Sequence, residues 1–531
     1  MLRTIRSLIK PWLGGTLAQF KIDLERPVEA QQRVLAQLIK SLSATEYGRA
    51  HKVRAFDGYA DFAQKVPVVR YDDLEEWIER QKKKEGDVLV SERVLFYEKT
   101  SGSSGPAKYI PYTKGLKDSF NSMFTLWLCD LLDSGPAFDT GKLFISISPA
   151  LASAQKTDRG VRIGLEDDSE YLSEGLRFLL KPFMVLPAAI KRLRDPAMFK
   201  RAVAALLLAE SRLEVVSIWN PTMFDIILDY IQEDREALSQ DLRRGSVTCE
   251  KIEFKFKPVA ASRLRLLEQA PVEWAEVWPH LKLISCWTGA HSAAAARRLG
   301  KRFPGVFIQG KGLLATEAPM TVPLIDARGF VPLPAELFYE FLDGAGQLRL
   351  LHDLEAGQEY EIVVTQKGGL YRYRIGDRVK VTHYYRSTAC LEFLGRSDAV
   401  SDMVGEKLNE SFVQSCLSRL FVETGGFQSL LPVLSACGAS YYLLLADRLP
   451  QAADSFEEAL DEALCGSFHY RNARLLGQLG RARVIAASKA RDIYYDYFTS
   501  KGVKLGDIKH SYLIRDVSDA ANIIKKIDGL A

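Results

Sequence analysis

The sequence predicts an α/β protein with a large N-terminal domain on a mostly parallel sheet and a smaller α+β domain after it. Three observations carry this. Apolar strand-like runs alternate with helical segments over residues 142–309, the pattern of a parallel sheet with crossover helices. The 531-residue length exceeds one ordinary core. The turn-prone run Gly395-Arg396-Ser397-Asp398 separates an apolar stretch from a charged one. The expected domains are therefore 1–394 and 399–531, with a hinge at 395–398.

The elements follow in order. Residues 28–42 read as an amphipathic helix and 71–84 as a charged one, with Asp72 and Asp73 favouring its N-terminus. Residues 93–97 and 108–112 read as short strands on either side of a polar loop. Residues 118–132 fit a helix packed on a sheet, and 142–147 a strand. The stretch 187–214 reads as mostly helical with a break at Pro196, and its apolar run 202–209 signals burial. A strand at 215–219 precedes Asn220-Pro221 and a helix to Tyr230. Strands at 282–287 and 305–309 flank a helix over 290–301. Two more strands, 359–365 and 370–381, surround the turn Lys367-Gly368-Gly369. Beyond the boundary the clearest helices are 456–468 and 519–526.

Composition narrows the class. Hydrophobic residues at 47% and charged residues at 26% give a soluble globular balance. A formal charge of +4 gives no reason to invoke nucleic acid, and Lys82-Lys83-Lys84 is offset by Glu75, Glu76, Glu79 and Glu85, as on a solvated helix end. The seven cysteines are scattered without C-x-x-C spacing, which points to a reduced, cytoplasmic protein without structural zinc. Lys10, Pro11 and Gly14-Gly15 interrupt any secretory apolar core near the N-terminus. Residues 424–446 carry no charge and are long enough to cross a bilayer, but Pro432 and Gly438 divide them. They read as a loop and two buried strands, with no stable membrane insertion.

Three motifs carry chemistry. The first is Tyr97-Glu98-Lys99-Thr100-Ser101-Gly102-Ser103-Ser104-Gly105-Pro106-Ala107-Lys108. Its hydroxyls, glycine backbone and lysine suit a phosphate cradle between two strands, distinct from a P-loop. A Ser/Gly-rich surface loop without a ligand is the bland alternative. The second combines Trp287-Thr288-Gly289-Ala290 with Gln309-Gly310-Lys311-Gly312-Leu313-Leu314-Ala315-Thr316-Glu317, two loops that a parallel sheet can bring to its carboxyl edge. The third is Tyr371-Arg372-Tyr373-Arg374-Ile375-Gly376-Asp377, a carboxylate after a patterned strand and a glycine turn. Bland roles are available here too. Glu317 could cap a helix following Thr316, Asp377 could stabilise a Gly-Asp turn, and Arg372 and Arg374 could be surface charges. His291 has no assignable partners for a protease triad.

The ordered set resembles the adenylate-forming superfamily, and most specifically the auxin-responsive family of acyl acid amido synthetases, here as a bacterial member. The resemblance implies the adenylate-forming fold with a mobile C-terminal domain, ATP and Mg2+ as cofactors, a carboxylic acid substrate and an amino acid acceptor. It implies a phosphate loop of Thr100, Ser101, Gly102, Ser103, Ser104, Gly105 and Lys108. Thr316 would touch phosphate or adenylate, Glu317 would serve the metal, and Asp377 would hold the ribose. Gly289 and Ala290 would lie beside adenine or acyl group. Leu313 and Leu314 replace an aromatic position of the family. Arg396 belongs to the hinge, while Tyr470 and Arg474 match a Tyr/Arg element. Lys509 is the candidate mobile lysine, with Lys407 as competitor. An acyl-CoA ligase, or a non-catalytic nucleotide-binding regulator, is the alternative. The acid, the amine and the oligomeric state stay open.

Overall fold

The computed structural model describes residues 2–84, 86–100, 108–145, 155–164, 170, 174–269, 271–289, 292–396, 400–404, 406–421, 426–435, 439–475, 477–503 and 505–528. The chain divides into two compact units, with most of the residues up to Phe393 in the first and Leu394–Ala531 in the second.

The functional core of the first unit is a four-stranded parallel sheet. Its strands are Lys142–Ile145, Leu213–Ser217, Leu283–Cys286 and Phe307–Gly310, neighbours in chain order. Leu283–Cys286 is buried at every position, as a strand covered on both faces should be. The helix Pro196–Ala209 contributes a nearly continuous apolar surface from Ala202 to Leu208, all buried. Pro196 does not break a helix as expected; it opens one. The Asp195 side chain accepts the Met198 N–H at 2.8 Å, and the missing proline N–H costs nothing in the first turn. Before it stands only the short 3-10 turn Ala188–Arg192, and Leu213 and Glu214 join the next strand. Asn220 caps the helix Pro221–Glu233 in the same way, accepting the Thr222 N–H at 3.0 Å.

A second layer is antiparallel, in the order Leu348–Leu350, Phe338–Leu342, Glu359–Thr365, Tyr373–Tyr385, Thr388–Arg396. The last of these strands runs through Gly395 and Arg396, which were expected in a turn. A smaller sheet pairs Val94–Thr100 with Lys108–Thr113 antiparallel, so Thr100 stands opposite Lys108.

Among its described residues, the second unit has five helices and a three-stranded sheet: Gln428–Val433 antiparallel to Tyr441–Ala446, and Arg483–Ala486 parallel to that. The uncharged stretch 424–446 thus supplies two strands, and its buried Leu430, Tyr442 and Leu444 pack with Phe456 and Leu460. Burying each such side chain is worth about 1.5–3 kcal/mol. Among the described residues, no helix is long and apolar enough to cross a membrane.

Candidate active site

The first motif is anchored at both ends. Thr100 and Lys108 face each other across the strand pair, while Ser101, Gly102, Ser103, Ser104 and Gly105 lie outside the described residues. Lys108 Nζ sits 5.6 Å from the Tyr71 ring centre, and the Tyr71 hydroxyl accepts the Tyr109 N–H at 2.8 Å. Thr113 closes the second strand. It accepts the Leu116 N–H to cap the helix Lys114–Ser134 and donates its hydroxyl to the Lys367 carbonyl at 2.9 Å.

The strand-end loops meet as the parallel sheet requires. A Cβ added to Gly310 would lie 2.4 Å from Thr288 Oγ1 and 2.5 Å from the Phe330 ring, so only glycine allows this approach. Gly289 is half-buried, and Ala290 lies outside the described residues. Thr316 and Glu317 form the two-residue turn of a hairpin in which Ala315 pairs with Ala318 and Leu314 with Pro319. The helix that Glu317 could have capped does not form. Both turn residues are half-buried, and the Thr316 carbonyl accepts the Tyr112 hydroxyl at 2.6 Å, tying the turn to the strand that leaves the first motif.

Asp377 lies within a strand, not after one. The pairing of Glu359–Thr365 with Tyr373–Tyr385 slips between Glu361↔Arg378 and Val363↔Arg374, so the longer strand bulges over Ile375, Gly376 and Asp377. Gly376 has φ +88°, a left-handed value that glycine adopts without a Cβ penalty. Such a bulge re-aims a side chain out of the ladder, and Asp377 is half-buried there. The arginines beside it are both ion-paired. Arg372 is 3% exposed and pairs with Glu340, and Arg374 pairs with Glu361. Tyr371 and Tyr373 are buried, and Tyr371 stacks on Tyr47 at 6.2 Å.

In the second unit, Arg396, Lys407 and Lys509 are exposed. Lys407 has φ +42°, unusual for a residue with a side chain. Its neighbour Glu406 is fully buried and accepts the Met403 and Val404 N–H groups, both at 2.8 Å, and the Tyr442 hydroxyl at 2.5 Å. The Lys509 carbonyl accepts the Tyr494 hydroxyl at 3.1 Å. Tyr470 and Arg474 both bond Asp461, at 2.8 Å for the hydroxyl.

Three family models match this chain in order. The GH3 family N-terminal domain covers residues 16–308, the central domain 330–396 and the C-terminal domain 413–518. The chain belongs to the GH3 family. Among relatives, an indole-3-acetic acid-amido synthetase, GH3.2 of Arabidopsis thaliana, is 24% identical over 75% of this chain and 80% of its own length. GH3.8 of Oryza sativa subsp. indica, named for the same activity, is 23% identical over 90% and 87%. A solved GH3.15 acyl acid amido synthetase in complex with 2,4-DB superposes with a TM-score of 0.84 at 20% identity, over 97% of this chain and 96% of that one. A 2-hydroxyisobutyryl-CoA ligase in its postadenylation state gives 0.52 at 12%, over 95% and 91%. The fold is thus that of adenylate-forming ligases.

Within this GH3 fold, one group escaped sequence reasoning. Lys311 is 9% exposed, and its ammonium donates to Ser217 Oγ at 2.8 Å. Its Nζ lies 4.9 Å from the Trp219 ring centre and 5.3 Å from that of Trp127. Burial pushes the nearby Cys286 thiol up to about 12, an effect that the Lys311 charge opposes. The available signal was a lysine between two glycines at a strand end.

Proposed function

We propose that this GH3 family chain is an ATP- and Mg2+-dependent acid–amino acid ligase. The observation that carries the reading is the ordered match to all three parts of a family whose relatives are named amido synthetases. In the first step an acid carboxylate oxygen attacks the α-phosphorus of ATP and pyrophosphate leaves. In the second an amino acid nitrogen attacks the acyl carbon, AMP leaves and the amine proton passes to solvent. The carboxylate is already ionised at neutral pH, so no strong base is needed. Orientation and charge stabilisation carry the rate.

In this reading, residues 100–108 hold the phosphates, Thr316 the adenylate, Asp377 the ribose hydroxyls, and Gly289 and Ala290 border the nucleotide. Among the described residues, no group of three or more His, Cys, Asp or Glu could cage a metal. One carboxylate, Glu317, together with phosphate oxygens is the donor set that magnesium favours. When bound, Mg2+ would neutralise phosphate charge. We place the hinge at 395–398 between domains 1–394 and 399–531; Gly395, at φ +136°, supports it. Lys407 is the first choice for the residue that enters the site with the smaller domain, because a left-handed backbone tied to a buried anchor is the kind of strain found at working positions. Lys509 is the second. Buried thiols such as Cys249, Cys286 and Cys390 fit a reducing cytoplasm.

The test is acid-dependent exchange of labelled pyrophosphate into ATP across an acid panel, followed by mass-spectrometric identification of product with mixed amino acids. Exchange and an amide product are expected. No exchange with any acid, or a thioester appearing only with CoA, overturns the assignment.

A further inference from the structure

The hairpin that carries Thr316 and Glu317 is held in two different ways. Its rungs are Ala315 opposite Ala318 and Leu314 opposite Pro319. Its foot is closed several times over. The Leu313 carbonyl accepts the Met320 and Thr321 N–H groups at 3.0 and 3.1 Å, and the Leu313 N–H donates to Thr321 Oγ1 at 2.7 Å. The Met320 carbonyl accepts the buried Tyr339 hydroxyl at 2.5 Å. The tip has less. Among the described residues, its one side-chain hydrogen bond comes from Tyr112, whose hydroxyl donates to the Thr316 carbonyl at 2.6 Å. The half-buried Glu317 carboxylate makes no ion pair or hydrogen bond there.

Tyr112 is itself a fixed point. It is fully buried and stands opposite Phe96 in the strand pair. Its ring stacks on Phe96 at 4.6 Å and lies 5.6 Å from the Phe120 ring. Packing on both rings locks the side-chain torsions, so the hydroxyl moves only with the strand Lys108–Thr113. Two rungs alone hold a hairpin weakly. The position of the tip, and of the carboxylate it carries, therefore depends on this one donor. A carboxylate that must meet a metal and phosphate oxygens together gains from such fixing, because small misplacements are costly in rate.

We propose that Tyr112 is a positioning residue: its hydroxyl fixes the Thr316–Glu317 turn relative to the strand that leaves the first motif, and so sets where Glu317 meets Mg2+-bound ATP. This rests on the ligase reading, which gives Glu317 to the metal. Tyr112 touches neither nucleotide nor metal in this role.

Two measurements on the full chain test it. The variant Tyr112→Phe keeps the ring and removes only the hydroxyl. Tyr339→Phe is the comparison, since it removes a buried hydroxyl that bonds the foot of the same hairpin. First, hydrogen–deuterium exchange is followed at residues 315–318. In Tyr112→Phe these amides should exchange about 3- to 10-fold faster, the range for one neutral hydrogen bond. Second, ATP is titrated calorimetrically with Mg2+ and with EDTA, and the Mg2+ dependence of pyrophosphate exchange is measured. Tyr112→Phe should weaken ATP binding about 3- to 10-fold with Mg2+ and leave it unchanged with EDTA. The Mg2+ concentration for half-maximal exchange should rise by the same factor with the KM for acid unchanged. Tyr339→Phe should lower the melting temperature and leave the Mg2+ dependence at the wild-type value.

Wild-type amide exchange or wild-type Mg2+ dependence in Tyr112→Phe overturns the proposal. So does an equal rise in Mg2+ requirement in Tyr339→Phe, or wild-type ATP binding that is absent or indifferent to Mg2+. If the wild-type chain binds ATP with Mg2+ but supports no pyrophosphate exchange with any acid, the ligase reading fails, and the titrations with Mg2+ and EDTA decide the positioning role by themselves.

Discussion

Arg372 and Glu340 form a two-point ion pair inside the first unit. Arg372 Nε lies 2.9 Å from Glu340 Oε2 and its second terminal nitrogen 2.7 Å from Oε1. Their side chains are 3% and 1% exposed. The remaining guanidinium nitrogen donates to the Ala63 and Val66 carbonyls, both at 2.7 Å, and the Tyr59 hydroxyl donates to Glu340 at 2.9 Å. The pair thus fastens the helix Tyr59–Lys65 to the strand Phe338–Leu342. It also fixes the chain at the start of the strand whose bulge presents Asp377.

Breaking this pair should be costly. Arg372→Met leaves the Glu340 carboxylate buried without its partner, and loss of one member of such a pair typically costs about 3–5 kcal/mol. The urea unfolding midpoint should fall sharply, and Arg372→Lys should recover only part because an ammonium cannot make the planar fork. The double change Arg372→Met with Glu340→Met should be less harmful than Arg372→Met alone. A midpoint unchanged in Arg372→Met refutes the anchoring role.

The bulge separates geometry from charge. Asp377→Ala should weaken ATP binding by about 10- to 100-fold, the range for one lost charge-assisted hydrogen bond, without lowering stability much. Gly376→Ala keeps the carboxylate but forces a Cβ into φ +88°, at about 1–2 kcal/mol. It should lower both stability and ATP affinity. Calorimetric titration and thermal unfolding of the two variants distinguish these outcomes; wild-type affinity in Asp377→Ala removes it from the ribose site.

Much of this was legible in the sequence because the governing signals are local. Alternating apolar strands and helices identified the parallel sheet, and Asn220-Pro221 announced a helix start. Pro196 misled because the same lack of an N–H that breaks a helix interior is harmless in its first turn. Thr316-Glu317 could begin a helix or turn a hairpin. Pairing of Ala315 with Ala318 decides it, and that pairing is set by neighbours rather than by the dipeptide. A surface charge stayed open for Arg372 because its partner, Glu340, is 32 positions away in the chain. Lys311 and Ser217 are 94 positions apart and meet only when the strands align.

Asp130 gives the fold a pH dependence apart from catalysis. It is 2% exposed, and burial raises its carboxyl to about 6, opposed by the Ile325 N–H it accepts at 2.8 Å and reinforced by Asp326. The folded protein therefore holds a proton that the unfolded chain, with a value near 3.8, has released. Between about pH 4 and 6 the folded state binds more protons, so this group's contribution falls as pH rises and disfavours folding by at most about 3 kcal/mol above that window. Asp130→Asn keeps an acceptor for Ile325. Its melting temperature should exceed that of wild type at pH 7, with the gap closing near pH 4. A gap independent of pH contradicts the assignment.

The two candidate lysines of the second unit can be told apart by what holds them. Lys407 follows a carboxylate, Glu406, that is buried under two backbone N–H groups and the Tyr442 hydroxyl. At Lys509, exposed like Lys407, the residue's own carbonyl is bonded by Tyr494. A lysine that must enter an active site with defined geometry needs its backbone fixed, and Lys407 has such a charged anchor beside it. Lys407→Ala should therefore slow acid-dependent pyrophosphate exchange by about 100-fold or more, the scale for losing a preorganised charge contact at a transferring phosphoryl group, while ATP affinity changes little. Glu406→Gln, with the lysine still present, should give a smaller loss of the same kind. Lys509→Ala should stay within about threefold of wild type, a difference below 1 kcal/mol. If exchange collapses in Lys509→Ala and survives in Lys407→Ala, the assignment passes to Lys509, and the buried anchor at Glu406 serves the stability of the second unit alone.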